Sequence, residues 1–105
     1  MTSRLYPHLC DIKRNQAVGT NGRKQKVLLH EGVRCLLVPM ASRAEIEAGF
    51  TSGSGYDAYF ASPTQDVKAA DQLEWDGATF NVRAVRAYAV PGVGHTHCLV
   101  TREGV

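Results

Sequence analysis

The sequence predicts a mainly β protein, a small antiparallel β-barrel or sandwich of six to seven strands with one short helix and a flexible loop. Short segments alternate between apolar and polar residues, and turns rich in Gly, Pro and Asp separate them at regular intervals. The dipeptide Asp76-Gly77 lies between two of these segments. The chain of 105 residues suits one domain with a modest core, so we predict a single domain over residues 1–105.

Residues 72–89 carry the clearest pattern in the chain. Asp76-Gly77 readily takes the positive φ angles of a tight turn between antiparallel strands, which predicts a β-hairpin. A change of phase near Ala84-Val85 suggests a β-bulge in the second strand. The predicted core face comprises Leu73, Trp75, Phe80, Val82 and Ala84, and the opposite face comprises Gln72, Glu74, Asn81 and Arg83.

The N-terminal part predicts an arm followed by a first hairpin. Residues 1–8 form the arm, because Pro7 stops any regular element. Residues 9–14 alternate as a strand, residues 19–22 supply turn chemistry, and residues 27–30 return as a second strand.

A third strand is predicted over residues 33–38, after a break at Glu31-Gly32 and before Pro39. This run is apolar on both faces. Such a strand is buried on both sides, or its outer face is covered by another subunit.

A helix and a loop are predicted to project from the barrel over residues 41–57. Ser42 and Glu45 fit a capping box, Gly49 ends the helix, and Ile46 is its chief apolar contact. Residues 50–55 are rich in Gly and Ser, which predicts mobility. The candidate partner residues are Arg43, Glu45, Glu47, Phe50, Gly53, Ser54, Gly55 and Tyr56; a surface helix and loop without a partner is the alternative reading.

Two more strands are predicted over residues 56–61 and 95–102. His95 and His97 would share a face of the last strand, but two imidazoles do not complete a zinc site unless His8 or His30 folds alongside. We therefore predict neither a metal nor a cofactor. The three cysteines, Cys10, Cys35 and Cys98, lie in phase with apolar strand residues and are predicted to be buried thiols.

The formal net charge of +2 is too small to predict nucleic-acid binding by the whole chain. Arg23, Lys24 and Lys26 nevertheless cluster beside a predicted turn, where they suit a phosphate backbone or an acidic partner. A solvated loop is the alternative. The sequence shows no apolar run of membrane-spanning length and no secretory signal, which predicts a protein made in the cytosol.

Motifs for catalysis are missing from the sequence. It has no G-x-S-x-G, H-E-x-x-H or Walker pattern, and Glu45 and Glu47 lie on different faces of a short helix. We predict that the protein is not an enzyme.

Three segments carry a resemblance to a known family. Residues 69–82 resemble an "a-g-D-x-l-x-w-D-G-x-x-f-x-V" hairpin, residues 32–40 resemble a "v-x-C-r-l-x-p" strand, and residues 6–14 resemble a first strand of the head-tail joining, or head closure, proteins of tailed bacteriophages. The resemblance covers most of residues 5–102. It implies a compact β-barrel from which a helix and an extended loop project.

The resemblance also implies a function. The chain would be a structural virion protein located in the neck, forming a ring of six- or twelve-fold symmetry with other copies. This ring would seal the DNA-filled head, with the portal or adaptor ring above it, tail proteins below it and packaged DNA within reach. The alternatives are a tail completion or minor capsid protein, and a free-standing nucleic-acid-binding barrel of OB or SH3 type.

Overall fold

The computed structural model of the chain describes residues 5–18 and 22–104, which form six β-strands and one helix. The elements are β1 (His8–Val18), β2 (Arg23–Pro39), α1 (Ser42–Ala48), β3 (Gly55–Phe60), β4 (Gln72–Trp75), β5 (Ala78–Tyr88) and β6 (His95–Arg102). All neighbouring strands are antiparallel, and the sheet closes into a barrel in the order β1-β2-β3-β6-β5-β4. The predicted mainly β barrel with one helix is confirmed. Residues 1–4 of the predicted arm and residues 19–21 of the predicted first turn lie outside the described residues.

The barrel interior is filled by side chains from every strand. Phe60 and Phe80 are the largest completely buried residues, and the three cysteine thiols lie among them without a disulfide bond. Burial of the thiols confirms the prediction from their apolar phase. The complete set of buried apolar residues is Cys10, Ile12, Cys35, Leu37, Ala58, Phe60, Val67, Leu73, Phe80, Val82, Cys98 and Val100.

The β4–β5 hairpin forms where the sequence predicts it. Trp75 pairs with Ala78, and the intervening Asp76 and Gly77 have φ angles of 51° and 75°. Two positive φ angles identify a two-residue turn of type I′, whose twist matches that of the strands. Leu73 is buried and Trp75 packs against the core, as the alternation predicts.

The predicted β-bulge in β5 is present and falls at Arg83. The pairing of β5 with β6 shifts between Val82 and Ala84, so Val82 lies opposite Val100 and Ala84 lies opposite Leu99. Because one extra residue reverses the direction of every later side chain, Ala84 turns to the outer face. Its predicted position on the core face is therefore wrong.

The predicted break at Glu31-Gly32 is also a bulge. β2 runs without interruption for 17 residues, where two separate strands were predicted. Its register with β1 shifts between the pairs Cys10–Val33 and Ile12–His30, and Gly32 has a φ of 63°. The Gly32 N–H donates to Asp11 Oδ1 at 3.0 Å, so a side chain satisfies the amide at the irregular position.

The helix begins differently from the prediction. Ala41 occupies the N-cap position and no side chain caps the helix, so the predicted capping box of Ser42 and Glu45 is wrong. Gly49 ends the helix with a φ of 76°, as predicted. Ile46 is 76% exposed, which contradicts its predicted role as the apolar contact of the helix. No helix in the described part of the chain is long and apolar enough to cross a membrane.

Candidate interaction surfaces

The loop that follows α1 is held to the helix by Glu45, which is only 4% exposed. Its Oε1 accepts the Gly53 N–H at 3.1 Å, and its Oε2 accepts the Gly55 N–H at 2.7 Å. The carboxylate that was predicted to cap the start of the helix therefore binds the far end of the loop. Hydrogen bonds to a charged carboxylate are stronger than those to a neutral acceptor, so these two bonds hold the loop in a defined conformation.

The end of the same loop is also joined to the barrel. The Ser54 carbonyl accepts the Arg102 N–H at 2.8 Å, and the Met40 N–H donates to the Gly55 carbonyl at 2.9 Å. Both Ser54 and Gly55 are buried, contrary to the expectation that a Gly- and Ser-rich segment has little to pack against. Tyr56 continues into the core, where its ring meets that of Phe80 edge-on at 5.0 Å.

The predicted partner residues of this region thus divide into two groups. Glu45, Ser54, Gly55 and Tyr56 make their contacts within the chain. The second group, Arg43, Glu47 and Gly53, is exposed to solvent. Arg43 and Glu47 form an exposed ion pair at 3.3 Å. Ile46 of the same helix is also exposed and was missed as a candidate, because helical periodicity does not tell which side of a two-turn helix faces the barrel.

Phe50, the remaining candidate, is half-buried and lines a cavity of about 480 Å³. The cavity lies between the end of α1 and the ends of β5 and β6. Arg83 and Arg102 also line it, and Arg83 Nε donates to Thr101 Oγ1 at 3.0 Å. Phe50 therefore lies at a polar cavity, with aromatic and guanidinium groups available for a contact.

The outer side of the barrel carries a patch of aromatic and aliphatic residues that are far apart in the sequence. We call it the aromatic face; it consists of Leu36, Val38, Tyr59, Tyr88, His95, His97 and Leu99. Strand pairing places Leu36, Tyr59 and His97 side by side on three neighbouring strands. In the next row Asp57 lies between Val38 and Leu99, and the bulge at Arg83 brings Tyr88 opposite His95. The face extends over β2, β3, β6 and β5.

Ring stacking orders the centre of the aromatic face. The Tyr59 and His97 rings are parallel within 7° at a centroid distance of 4.7 Å, and the Tyr88 and His95 rings stack at 4.8 Å. His97 Nε2 lies 2.8 Å from Asp57 Oδ1, which fixes the imidazole. Burial raises the pKa of the Tyr59 hydroxyl, with smaller contributions from the charges of Asp57 and Tyr88. Offset stacks of this kind add stability and leave a rigid surface.

The aromatic face remains open to solvent in spite of its apolar content. Val38 is 38% exposed and Tyr88 is 37% exposed, while Leu36 and Leu99 are half-buried. The one sequence signal for this face was the run over residues 33–38, whose apolar residues on both sides suggested a cover from another subunit. Leu36 and Val38 are the outward residues of that run. The other members could not be found, because cross-strand neighbours are set by register.

The two C-terminal histidines share a face, as the alternation predicts, but do not meet the other two. His30 Nε2 lies 3.0 Å from Asp66 Oδ2, and His8 Nδ1 accepts the Leu37 N–H at 3.1 Å. Within residues 5–18 and 22–104, no group of three or more potential metal ligands comes together.

Two of the buried thiols, Cys10 and Cys98, are poorly suited to chemistry, whereas a hydrogen bond with Cys10 lowers the pKa of Cys35 against the effect of burial. Burial, followed by the charge of Asp71, raises the pKa of Cys98 to about 12. A hydrogen bond with Cys35, together with burial, raises the pKa of Cys10. Thiols with raised pKa values are protonated at neutral pH and weakly nucleophilic.

The basic cluster lies on the projecting part of the β1–β2 hairpin. Arg23, Lys24 and Lys26 occupy the start of β2 and are exposed. They pair with Val18, Ala17 and Asn15 of β1 in that order. The cluster is thus part of a regular β-ribbon, because β2 begins at Arg23, before the second strand predicted over residues 27–30.

Comparison with solved structures finds a protein of similar fold. The chain shares its fold with protein xkdH of the phage-like element PBSX from Bacillus subtilis, with a TM-score of 0.54. The alignment covers 91% of this chain and 93% of xkdH, at 14% sequence identity. No family model and no curated protein matches the sequence.

Proposed function

We propose that the protein is a structural component of a tailed-phage particle, namely a subunit of the head closure or head-tail connector ring in the neck. Its work is to seal the DNA-filled head and to provide the surface to which the tail attaches. The observation that carries the proposal is the fold shared with xkdH, a protein of a phage-like element, over more than nine-tenths of both chains. The role is binding without catalytic turnover.

The aromatic face supports the ring in this proposal. Apolar patches on the surface of a small protein mark sites where another molecule packs. Tyr59 and Tyr88 are amphipathic anchors of the type that dominates protein interfaces. In a ring, each copy presents one surface to a different surface of its neighbour, and closure makes weak contacts cooperative. We infer that the aromatic face packs against an adjacent copy.

The exposed side of α1 supports a second contact surface. Arg43, Ile46 and Glu47 combine an apolar side chain with two opposite charges. In the proposed ring, residues 41–57 reach the channel or the portal or adaptor ring above, and tail proteins bind the opposite side. The hydrogen bonds of Glu45 give this segment a defined shape before it meets a partner.

Removal of the gene tests the proposal. We would examine the induced lysate by electron microscopy and complement the deletion with the wild-type gene. DNA-filled or leaking heads beside complete, separate tails would support the neck position. Tails that are themselves malformed would favour a tail completion protein, and normal infectious particles would refute a structural role.

A surface variant tests the aromatic face separately. Leu36→Glu places a charge on the aromatic face, beside Tyr59, and should leave the barrel folded while preventing complementation of the deletion. Leu9→Glu is the control for the same change of residue type, because Leu9 is an exposed leucine outside the aromatic face, whereas Leu36 is half-buried. Circular dichroism of both purified variants checks the fold. Full complementation by Leu36→Glu would remove the aromatic face from the proposal.

A further inference from the structure

The β1–β2 hairpin extends beyond the barrel as a two-stranded ribbon. Within the described strand pairings, β4 pairs with β1 only at residues 11–13, and β3 pairs with β2 only at residues 35–39. Residues 14–18 and 23–27 therefore pair with each other alone. We call these two segments the β-arm.

The β-arm is cationic along its length. Residues 14–27 contain four of the twelve Lys and Arg residues of the chain and none of its ten Asp and Glu residues. The remaining polar side chains of this stretch are amides or hydroxyls. A molecule with a net charge of only +2 thus concentrates its positive charge at one end.

Two of these cations are placed in a row. Lys24 and Lys26 are exposed and alternate with Gln25, so both lie on the same side of the ribbon. Their Cα atoms are separated by about 6.8 Å along an extended strand. Opposite them on β1 are Ala17 and Asn15, which are small or able to donate a hydrogen bond. The row therefore lets an anionic surface come close to both ammonium groups.

The base of the β-arm is braced against the barrel. Arg14 donates through Nε and Nη2 to the two carboxylate oxygens of Asp71, at 2.9 and 2.8 Å. Asp66 bridges the two strands, because its Oδ1 accepts from Arg14 at 3.1 Å and its Oδ2 lies 3.0 Å from His30. The cations beyond this point are thus presented in a fixed direction.

We propose that the β-arm binds the phosphate backbone of double-stranded DNA, with Lys24 and Lys26 as the contacts. An exposed two-stranded ribbon has dimensions that fit the major groove, and phosphates on one strand recur at about 3.4 Å along the helix axis. The two lysines, about 6.8 Å apart along the strand, can each reach a separate phosphate of the backbone. This inference deepens the proposed function, on which the identification of the ligand as packaged DNA rests.

The binding is independent of base sequence and weak for a single copy. Two or three phosphate contacts give a small salt-dependent affinity, since each contact contributes about 0.9 to the slope of log K against log salt concentration. Several copies in a ring would multiply the contacts along one duplex.

Nuclear magnetic resonance of the purified protein detects binding of this strength and locates it. We would titrate the ¹⁵N-labelled chain with a short DNA duplex of mixed sequence at low salt and follow the amide resonances. Shifts should be concentrated in residues 14–18 and 23–27 and should diminish as salt is added. The double variant Lys24→Gln/Lys26→Gln should bind much more weakly, with smaller shifts at these amides. The slope of log K against log salt concentration should become shallower by about 1.8.

The control removes two charges elsewhere. Arg34→Gln/Lys68→Gln changes two exposed cations outside the β-arm and should bind like the wild type. Absence of shifts, shifts centred on α1 and its loop, or equal loss in both double variants would each overturn the proposal. So would a polyglutamate peptide that shifts the β-arm at lower concentration than DNA of equal charge, because the partner would then be an acidic protein.

The titration and the deletion experiment test the two proposals independently. A negative titration removes the DNA contact and leaves the neck position unaffected. Normal particles after deletion would remove the neck position, while binding by the purified chain would still stand.

Discussion

Glu45 and Asp71 are both almost completely buried, at 4% and 2% exposure, but they bind different partners. Glu45 accepts hydrogen bonds from two backbone N–H groups within ten residues of itself. Asp71 accepts two hydrogen bonds from Arg14, which is 57 residues away, and a third from the Lys68 N–H at 2.8 Å. The Glu45 carboxylate therefore stabilises one local loop. The Asp71 carboxylate joins Arg14, at the base of the β-arm, to the segment just before β4.

This difference in range predicts a difference in cooperativity. A contact between distant segments stabilises the fold as a whole, whereas a contact within one loop controls only local opening. The contacts of Asp71 also give a structural reason for one residue of the motif over residues 69–82. Asp71 is the first aspartate of that motif, and besides binding Arg14 it pairs through its backbone carbonyl with the Val82 N–H at 2.9 Å.

The largest effect is expected for Asp71→Ala. The change leaves the Lys68 N–H without its acceptor and leaves the largely buried Arg14 guanidinium with its hydrogen bond to Asp66 alone, and it should lower the free energy of unfolding by about 3 kcal/mol. Urea denaturation followed by circular dichroism measures the loss. Glu103→Ala, at an exposed carboxylate, is the control.

The double variant Arg14→Met/Asp71→Asn sharpens this result. Because it removes the cation together with its acceptor, it should be more stable than Asp71→Ala. A stability of Asp71→Ala equal to that of Glu103→Ala would show that the long-range contact does not stabilise the barrel.

A smaller and local effect is expected for Glu45→Gln. An amide provides one acceptor oxygen in place of two, so one of the Gly53 and Gly55 N–H groups loses its partner, at a cost of about 2 kcal/mol. Hydrogen exchange should accelerate at these two amides and stay unchanged in β6. Glu47→Gln, at the exposed ion pair, should alter neither. Acceleration throughout the barrel would contradict the local role of Glu45.

Gly55→Ala tests the same loop by steric means. A Cβ at this position would lie 2.8 Å from Met40 Sδ and 2.9 Å from Glu45 Cγ, so both side chains must move. We expect a loss of about 1 kcal/mol. Adding Met40→Ala should restore part of the stability in thermal denaturation, because it frees one of the two contacts. A Gly55→Ala protein as stable as the wild type would mean that the loop adjusts freely.

The smallest effect is expected for Asp66→Asn at the base of the β-arm. Hydrogen bonds from His30, and then from Arg14, lower the pKa of the Asp66 carboxyl. Its stabilising contribution is therefore complete above the ordinary carboxyl pKa and is lost as pH falls through the lowered value. The difference in urea midpoint between wild type and Asp66→Asn should accordingly shrink on acidification. A difference that is constant with pH would exclude a role for the charge.

The features of this protein that depend on local backbone geometry were predictable from its residues alone. Asp76-Gly77 takes two positive φ angles, Gly49 ends α1, and the alternation around Leu73 and Phe80 selects the core face, since each follows from backbone sterics or from the period of a strand. The mainly β class and the buried thiols follow from the same periodicity. The cation cluster at the β-arm was visible as composition, although its ribbon geometry was not.

Contacts between groups that are distant in the sequence depend on how the whole barrel closes. Glu45 binds loop amides where a capping box had been predicted, and one extra residue at Arg83 sends Ala84 to the outer face. The aromatic face exists because register places Tyr59 beside His97 and Tyr88 beside His95. Register and bulges depend on the closure of all six strands together, and a pattern read along one segment contains no information on the position of its neighbours.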